Sequence, residues 1–215
     1  MFTFIIVNRN LITWPKNMIK KIESLNGISK IIIVDNNSDS PLVLEWYKNI
    51  NHLVIHLTKN VGHTSPWLSI VMNHVDTEFY FVSDPDLKID HLPKDTLFHL
   101  ASILSLNPNF KKVGLGLYPP TFIDRSQYKS SYEIENFYNN LPIYNNLFYE
   151  APIDTTFAVY NKHILNKYEV CGVRTIEPYK VYHLPWINNE VDSIKKEYNY
   201  YLNTANASTS LLKYE

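Results

Sequence analysis

Phe79-Tyr80-Phe81-Val82-Ser83-Asp84-Pro85-Asp86 runs from an apolar stretch straight into two carboxylates. Glu78 to Val82 reads as a buried β-strand. Strands alternate their faces, so residues two apart project to the same side. An extended backbone here aims Asp84 and Asp86 at one point, just where the strand runs out. Pro85 removes a ladder donor, which suits a strand end rather than its middle. Two carboxylates at the C-terminal edge of a sheet can hold a divalent cation, and the cation can hold a diphosphate. The chain has ten Asp in 215 residues, which by chance yield about 0.5 such pairs. The surrounding sequence therefore has to carry the reading.

That surrounding sequence alternates strand and helix patterns. Phe2 to Val7 reads as a strand, Pro15 to Ser24 as a helix with Gly27 at its C-terminal cap, and Lys30 to Val34 as a strand buried on both faces. Pro41 to Asn49 follows as a helix, His52 to Leu57 as a strand, and Ser65 to His74 as a third helix before the aspartate strand. This β-α-β-α-β-α-β order predicts an α/β fold with a mixed, mainly parallel central sheet flanked by helices. A helix over Asp95 to Leu106 and a strand over Lys112 to Leu117 continue it. Residues 121–149 are polar and weakly periodic and read as a long loop that shapes a functional site. Ala158 to Tyr160 reads as a strand, His163 to Tyr168 as a short helix, and the tail from Glu197 as docked or frayed.

Composition narrows the class. With 215 residues and 45% hydrophobic side chains, the chain suits one domain burying about 70% of its unfolded surface. Twenty basic against 21 acidic side chains leave a net charge of −1, so no basic footprint for nucleic acid exists. Sixteen Tyr, ten Phe and four Trp supply core and also suit sugar-binding clefts, since Tyr and Trp have an apolar face and a polar edge. Cys171, the single cysteine, permits a reducing compartment and reads as a small buried hydrophobe. Phe2 to Val7 is too short for a signal segment or a membrane span. A cytoplasmic protein is expected, in the host cytoplasm if the source is viral.

In open α/β sheets, ligands bind outside the carboxyl ends of the strands. Those ends read Asn8-Arg9-Asn10, Asp35-Asn36-Asn37-Ser38, Asn60-Val61-Gly62-His63 and Asp84-Pro85-Asp86. Each alone suits turn and cap chemistry, but four polar ends in a row point to a ligand. There is no glycine-rich phosphate loop or dinucleotide fingerprint. A bound nucleotide would need a metal to neutralise its phosphates.

In this order, Val34-Asp35-Asn36-Asn37-Ser38, Asn60-Val61-Gly62 and Asp84-Pro85-Asp86 resemble the nucleotide-sugar half of a GT-A glycosyltransferase, close to glycosyltransferase family 2. Two later segments, Ala151 to Tyr160 and Tyr182-His183-Leu184-Pro185-Trp186, resemble small bacterial and viral transferases of that type. The resemblance spans roughly residues 2–190. One departure is Asp35-Asn36-Asn37-Ser38, where many relatives carry Asp-Asp-Gly-Ser. The resemblance implies a single GT-A domain over 1–215: a nucleotide-sugar half (1–90), an acceptor half (91–190) and a tail (191–215). It implies Mn²⁺ or Mg²⁺ held by Asp86 and His183, with Asp84 as a further ligand or on the ribose. It also implies that Asn8, Arg9, Asp35, Asn60, Gly62, His63 and Trp186 line the nucleotide. Arg174 and Lys180 become candidates for the diphosphate, and Trp67 for stacking. Asp154 becomes the general base, with Glu150 and Glu177 as rivals and Thr155 and Thr156 as hydroxyl contacts.

The expected activity is metal-dependent, inverting transfer from a UDP-sugar to a hydroxyl of a carbohydrate acceptor. Two alternatives stay open: an inactive GT-A module that binds glycans, and another phosphate enzyme such as a sugar-nucleotide nucleotidyltransferase. A phosphatase of the D-x-D-x-T type would carry its pair after the first strand, not the fourth.

Overall fold

Both faces of the first strands are apolar, and both are covered. In β1 (Phe2–Asn8), Phe2, Phe4 and Ile6 pack into one hydrophobic cluster and Ile5 into another. β2 (Ile28–Asp35) divides the same way, Ile31 and Ile33 against Ile32 and Val34. This is the alternation of a pleated strand with structure on each side. The computed structural model describes residues 1–120, 129–153, 156–164 and 172–205. Asp154, Thr155, Cys171, most of the helix expected over His163 to Tyr168, and residues 206–215 lie outside them.

In chain order the first half runs β1, α1 (Thr13–Glu23), β2, α2 (Pro41–Lys48), β3 (Leu53–His56), a 3-10 turn over Gly62–Trp67, α3 (Ser69–Met72), β4 (Phe79–Ser83), β5 (Leu87–Lys88) and α4 (Thr96–Leu106). The second half runs β6 (Lys112–Gly114), β7 (Gly116–Leu117), α5 (Lys129–Asn139), β8 (Phe148–Glu150), β9 (Ala158–Asn161), β10 (Val173–Thr175), β11 (Lys180–His183), a 3-10 turn over Leu184–Trp186, α6 (Asn188–Ser193) and α7 (Lys195–Thr204). The described strands form an eight-stranded sheet, β3-β2-β1-β4-β9-β6-β10-β8, and a small one, β5-β11-β7. β3, β2, β1 and β4 are parallel, so their carboxyl ends share one edge. The antiparallel β9 then makes the sheet mixed.

Three expectations change. The helix expected over Ser65 to His74 is a 3-10 turn and a single α-turn, because Pro66 lacks a donor and Leu68 is extended at ψ 145°. The strand expected over Lys112 to Leu117 divides between sheets. Leu115 N–H donates to Phe157 O, whereas Gly116 N–H donates to Tyr179 O. Only glycine fits at 116, where a Cβ would lie 2.3 Å from Thr175 O. Within 121–149, the polar stretch read as a loop, lie α5 and the start of β8. α5 hides its periodicity by inversion: Glu135 is its buried residue, while Ile134 and Phe137 are exposed.

The C-terminal helix is docked. Tyr198 and Ile194 pack with Leu11, Trp14 and Leu184 in a third apolar cluster. α1 has no capping side chain of its own. Instead Glu197 accepts from Ile12 N–H at 2.6 Å and Thr13 N–H at 2.9 Å, and from the Thr13 hydroxyl at 3.0 Å. A carboxylate at a helix N-terminus satisfies open donors and complements the dipole. Glu197→Ala is expected to lower stability by about 1–2 kcal/mol and to speed proteolysis within α7. Urea unfolding and limited trypsinolysis check this, and an unchanged urea midpoint would refute the cap.

Candidate functional site

β5 and β11 pair antiparallel, with Leu87 opposite His183. Leu184 N–H donates to Asp86 O at 2.7 Å. This pairing brings together two side chains 97 residues apart: His183 Nε2 lies 3.0 Å from Asp86 Oδ2. Both are partly shielded, with side chains 17% and 20% exposed. The Trp186 ring packs edge-on against His183 at 4.7 Å. Trp186 is itself buried, so it supports the histidine and does not offer a ring to a nucleotide. His183 Nδ1 is buried with no hydrogen-bond partner among the described residues.

The chain bends at Pro85 between β4 and β5. The alternation expected of an extended backbone therefore stops at Ser83, and β5 turns Asp86 toward β11. Among the described residues no three His, Cys, Asp or Glu side chains converge as a metal site would, so Asp84 does not join Asp86 and His183 in a trio. The two-residue donor set fits a hard cation nonetheless. A carboxylate oxygen and an imidazole nitrogen suit Mn²⁺. At 3.0 Å the two groups are within hydrogen-bond distance of each other, so a cation between them would replace that bond. Water and phosphate oxygens commonly fill the other positions of such ions.

At the other strand ends the polar side chains mostly hold one another. Asn8 is buried and donates to Leu11 O and the Tyr47 hydroxyl, both at 2.8 Å. It therefore sits enclosed beneath the turn. Asn10, in the left-handed region at φ 55°, accepts from Asp39 N–H and Ser40 N–H at the start of α2. Arg9 donates to the Thr204 carbonyl and hydroxyl at the end of α7. Asn36 clamps the next turn, accepting from Val61 N–H at 2.9 Å and donating to Gly62 O at 3.1 Å. Asn60 accepts from Gly62 N–H at 2.9 Å. Gly62 takes φ 67°, a conformation natural to glycine. His63 is exposed at the start of the 3-10 turn.

Asp35 is buried at 2% exposure. Its Oδ1 accepts from Ser38 N–H at 3.0 Å and faces the Tyr47 hydroxyl at 3.5 Å. Its Oδ2 lies 2.9 Å from His56 Nδ1. Burial beside this carboxylate pushes the Tyr47 hydroxyl well above the ordinary tyrosine range. The nucleotide contact expected of Asp35 thus meets a carboxylate already enclosed, and it is the His56 side chain, 54% exposed, that reaches solvent. Sequence reading passed over His56 because it fell inside an ordinary strand. Its signal is position: the last residue of β3, in register with Asp35.

In the second half Arg174 and Glu135 form a buried ion pair at 2.6 Å, their side chains 7% and 8% exposed. Arg174 Nε also donates to Pro152 O at 2.8 Å, and the guanidinium lies over the Tyr138 ring. So placed, Arg174 is not a free cation for a diphosphate. Burial pushes the Glu135 carboxyl upward against the pull of Arg174 and, more weakly, of His183 and Lys180. Lys180 donates to Asn139 Oδ1 and lies over the Tyr118 ring; burial draws its ammonium below the ordinary range. Glu150 and Glu177 are exposed, and Glu177 accepts from the Tyr118 hydroxyl. Asn139, Ile143, Tyr149, Ile176, Glu177 and Lys180 line a cleft of about 260 Å³. Trp67 belongs with the second core cluster and donates to the Tyr80 hydroxyl at 3.0 Å. No helix among the described residues is long and apolar enough to cross a membrane.

No protein-family model and no curated protein matches the sequence. Solved structures do. A mannosyltransferase, PcManGT of Pyrobaculum calidifontis, in complex with GDP-Man and Mn²⁺, aligns at TM-score 0.56 and 12% identity over 95% of this chain and 65% of its own. Glucosyl-3-phosphoglycerate synthase of Mycobacterium tuberculosis, with Mn²⁺, UDP-glucose and phosphoglyceric acid, aligns at 0.49 and 10% identity over 75% and 56%. A CMP-2-keto-3-deoxy-manno-octonic acid synthetase with CTP aligns at 0.45 and 11% identity over 94% and 85%. This chain thus spans less than two thirds of the mannosyltransferase and of the phosphoglycerate synthase. At these identities the first likeness shows the fold alone, and that fold is GT-A.

Proposed function

We propose that this GT-A chain is a metal-dependent glycosyltransferase that moves a sugar from a nucleoside-diphosphate donor, UDP-linked, to a hydroxyl of a glycan. The observation that carries the reading is the Asp86–His183 pair, 3.0 Å apart beyond the end of β4. An open α/β sheet binds ligands at that edge, and the pair offers two ligands to Mn²⁺ or Mg²⁺. The mannosyltransferase of like fold, solved with GDP-Man and Mn²⁺, supports the reading in kind.

In this reading Asp86 and His183 hold the cation, and Asp84 faces the ribose or a metal-bound water. The bound cation would offset the charge that builds on the leaving diphosphate. Asn60, Gly62 and His63 lie along the nucleoside side of the edge. An inverting transfer needs a base within reach of the acceptor hydroxyl, and Asp154 is proposed for it, ahead of Glu150 and Glu177. The cleft between α5 and β11 would receive the acceptor.

Titration calorimetry with UDP, with and without Mn²⁺, tests the reading. UDP is expected to bind only with the cation, and excess chelator should abolish the heat. UDP binding that ignores chelator, or no binding of any nucleoside diphosphate with Mn²⁺ present, would remove it.

A further inference from the structure

We infer that His56, oriented by Asp35, reads the nucleobase and selects one that carries a ring N–H on its pairing edge, uracil or guanine, over cytosine or adenine. The inference rests on the nucleotide-sugar reading above and adds the group that chooses the base.

Asp35 cannot do this itself. It is 2% exposed, and both of its oxygens already face hydrogen-bonding groups of the fold: Ser38 N–H and the Tyr47 hydroxyl on Oδ1, His56 on Oδ2. With its side chain 3% exposed, Asp35 offers a base no open face. The imidazole extends the carboxylate outward by one ring. Its Nδ1 is fixed 2.9 Å from Asp35 Oδ2, and the ring rests edge-on against Tyr47 at 5.4 Å. When one imidazole nitrogen donates to a carboxylate, the neutral ring carries its lone pair on the other. Nε2 is then an acceptor held on a side chain that is 54% exposed. Uracil N3–H and guanine N1–H are donors that match it. The corresponding atoms of cytosine and adenine are acceptors and would face a second lone pair.

Position supports the same conclusion. His56 ends β3 in register with Asp35 at the end of β2. Beside them Asn36 clamps the Asn60-Val61-Gly62 turn. In the order β3-β2-β1-β4, three strand spacings separate His56 from the end of β4, about 14 Å. That is comparable with the distance from base edge to second phosphate in an extended nucleoside diphosphate. A base at His56 would thus leave its diphosphate near Asp86 and His183.

The test is competition calorimetry with Mn²⁺ and UDP, GDP, CDP and ADP, on the natural protein and on His56→Ala and His56→Gln. UDP or GDP should bind the natural protein about tenfold more tightly than CDP or ADP, and which of the two leads names the base. His56→Ala should bring that ratio to within about twofold. His56→Gln, whose amide oxygen can accept, should recover part of it. Asp35 keeps the Ser38 N–H bond, and loss of the half-exposed ring opens Oδ2 to water, so both variants should fold, checked by unchanged circular dichroism and by thermal melting. Equal binding of all four by the natural protein, a preference for CDP or ADP, or an undiminished ratio in His56→Ala would each overturn the inference while leaving the metal reading intact. No binding of any of the four to the natural protein would overturn both.

Discussion

Asp86→Ala is expected to abolish cation-dependent nucleotide binding in a protein that stays folded. On the proposed reading Asp86 supplies the carboxylate that holds the cation, and its loss would leave His183 alone. Outer partners of metal ligands are worth roughly 10–100-fold in metal affinity, so removing a direct ligand should lower UDP affinity with Mn²⁺ by at least about a hundredfold. Folding should survive because the structural bond at this position uses the backbone: Asp86 O, not its side chain, accepts from Leu184 N–H. The β5–β11 pairing therefore persists in the variant. Calorimetry reads the affinity, and thermal melting reads the fold. His183→Ala should lose binding in parallel. A folded Asp86→Ala protein that binds UDP with Mn²⁺ as the natural protein does would show that the cation, if any, sits elsewhere.

The largest expected change in stability comes from Arg174→Met. This substitution strips the partner from a carboxylate that is 6% exposed, and an orphaned buried charge costs about 3–5 kcal/mol. It also removes the bond from Arg174 Nε to Pro152 O, which ties β10 to the chain just before Asp154. The double variant Glu135→Leu with Arg174→Met should recover much of the loss, because replacing a buried pair by apolar groups of similar volume is often neutral. Urea unfolding of the two variants decides between desolvation and simple contact loss. If the single variant lost less than about 1 kcal/mol, or the double were worse than the single, the pair would not be acting as a buried charge pair.

Much of the first half was legible in sequence because its signals are local. Ile31, Ile32, Ile33 and Val34 announce a strand covered on both faces, and Pro41 marks the first turn of α2. The second half was less so. α5 turns its charged Glu135 inward and its apolar Phe137 outward, so hydrophobic periodicity, which assumes the reverse, reports a loop. β10 and β11 are only three and four residues long, too short for alternation to register. The cap on α1 was hidden for another reason: Glu197 lies 185 residues from Ile12, where no local capping pattern can show it.

The candidate site divides along the same line. By itself the sequence determined four parallel strand ends and the polar residues on them, since strand alternation and turn chemistry depend on near neighbours along the chain. Only the tertiary structure decided which of those residues face one another. The β5–β11 pairing set Leu87 opposite His183 and so brought Asp86, just before β5, to the imidazole, while the β2–β3 register set Asp35 beside His56. A shift of one residue in the β2–β3 pairing would turn His56 to the opposite face from Asp35. Pairing between distant strands is set by packing across the whole sheet, so the aspartate expected to contact the nucleotide is buried, with the half-exposed His56 side chain against it.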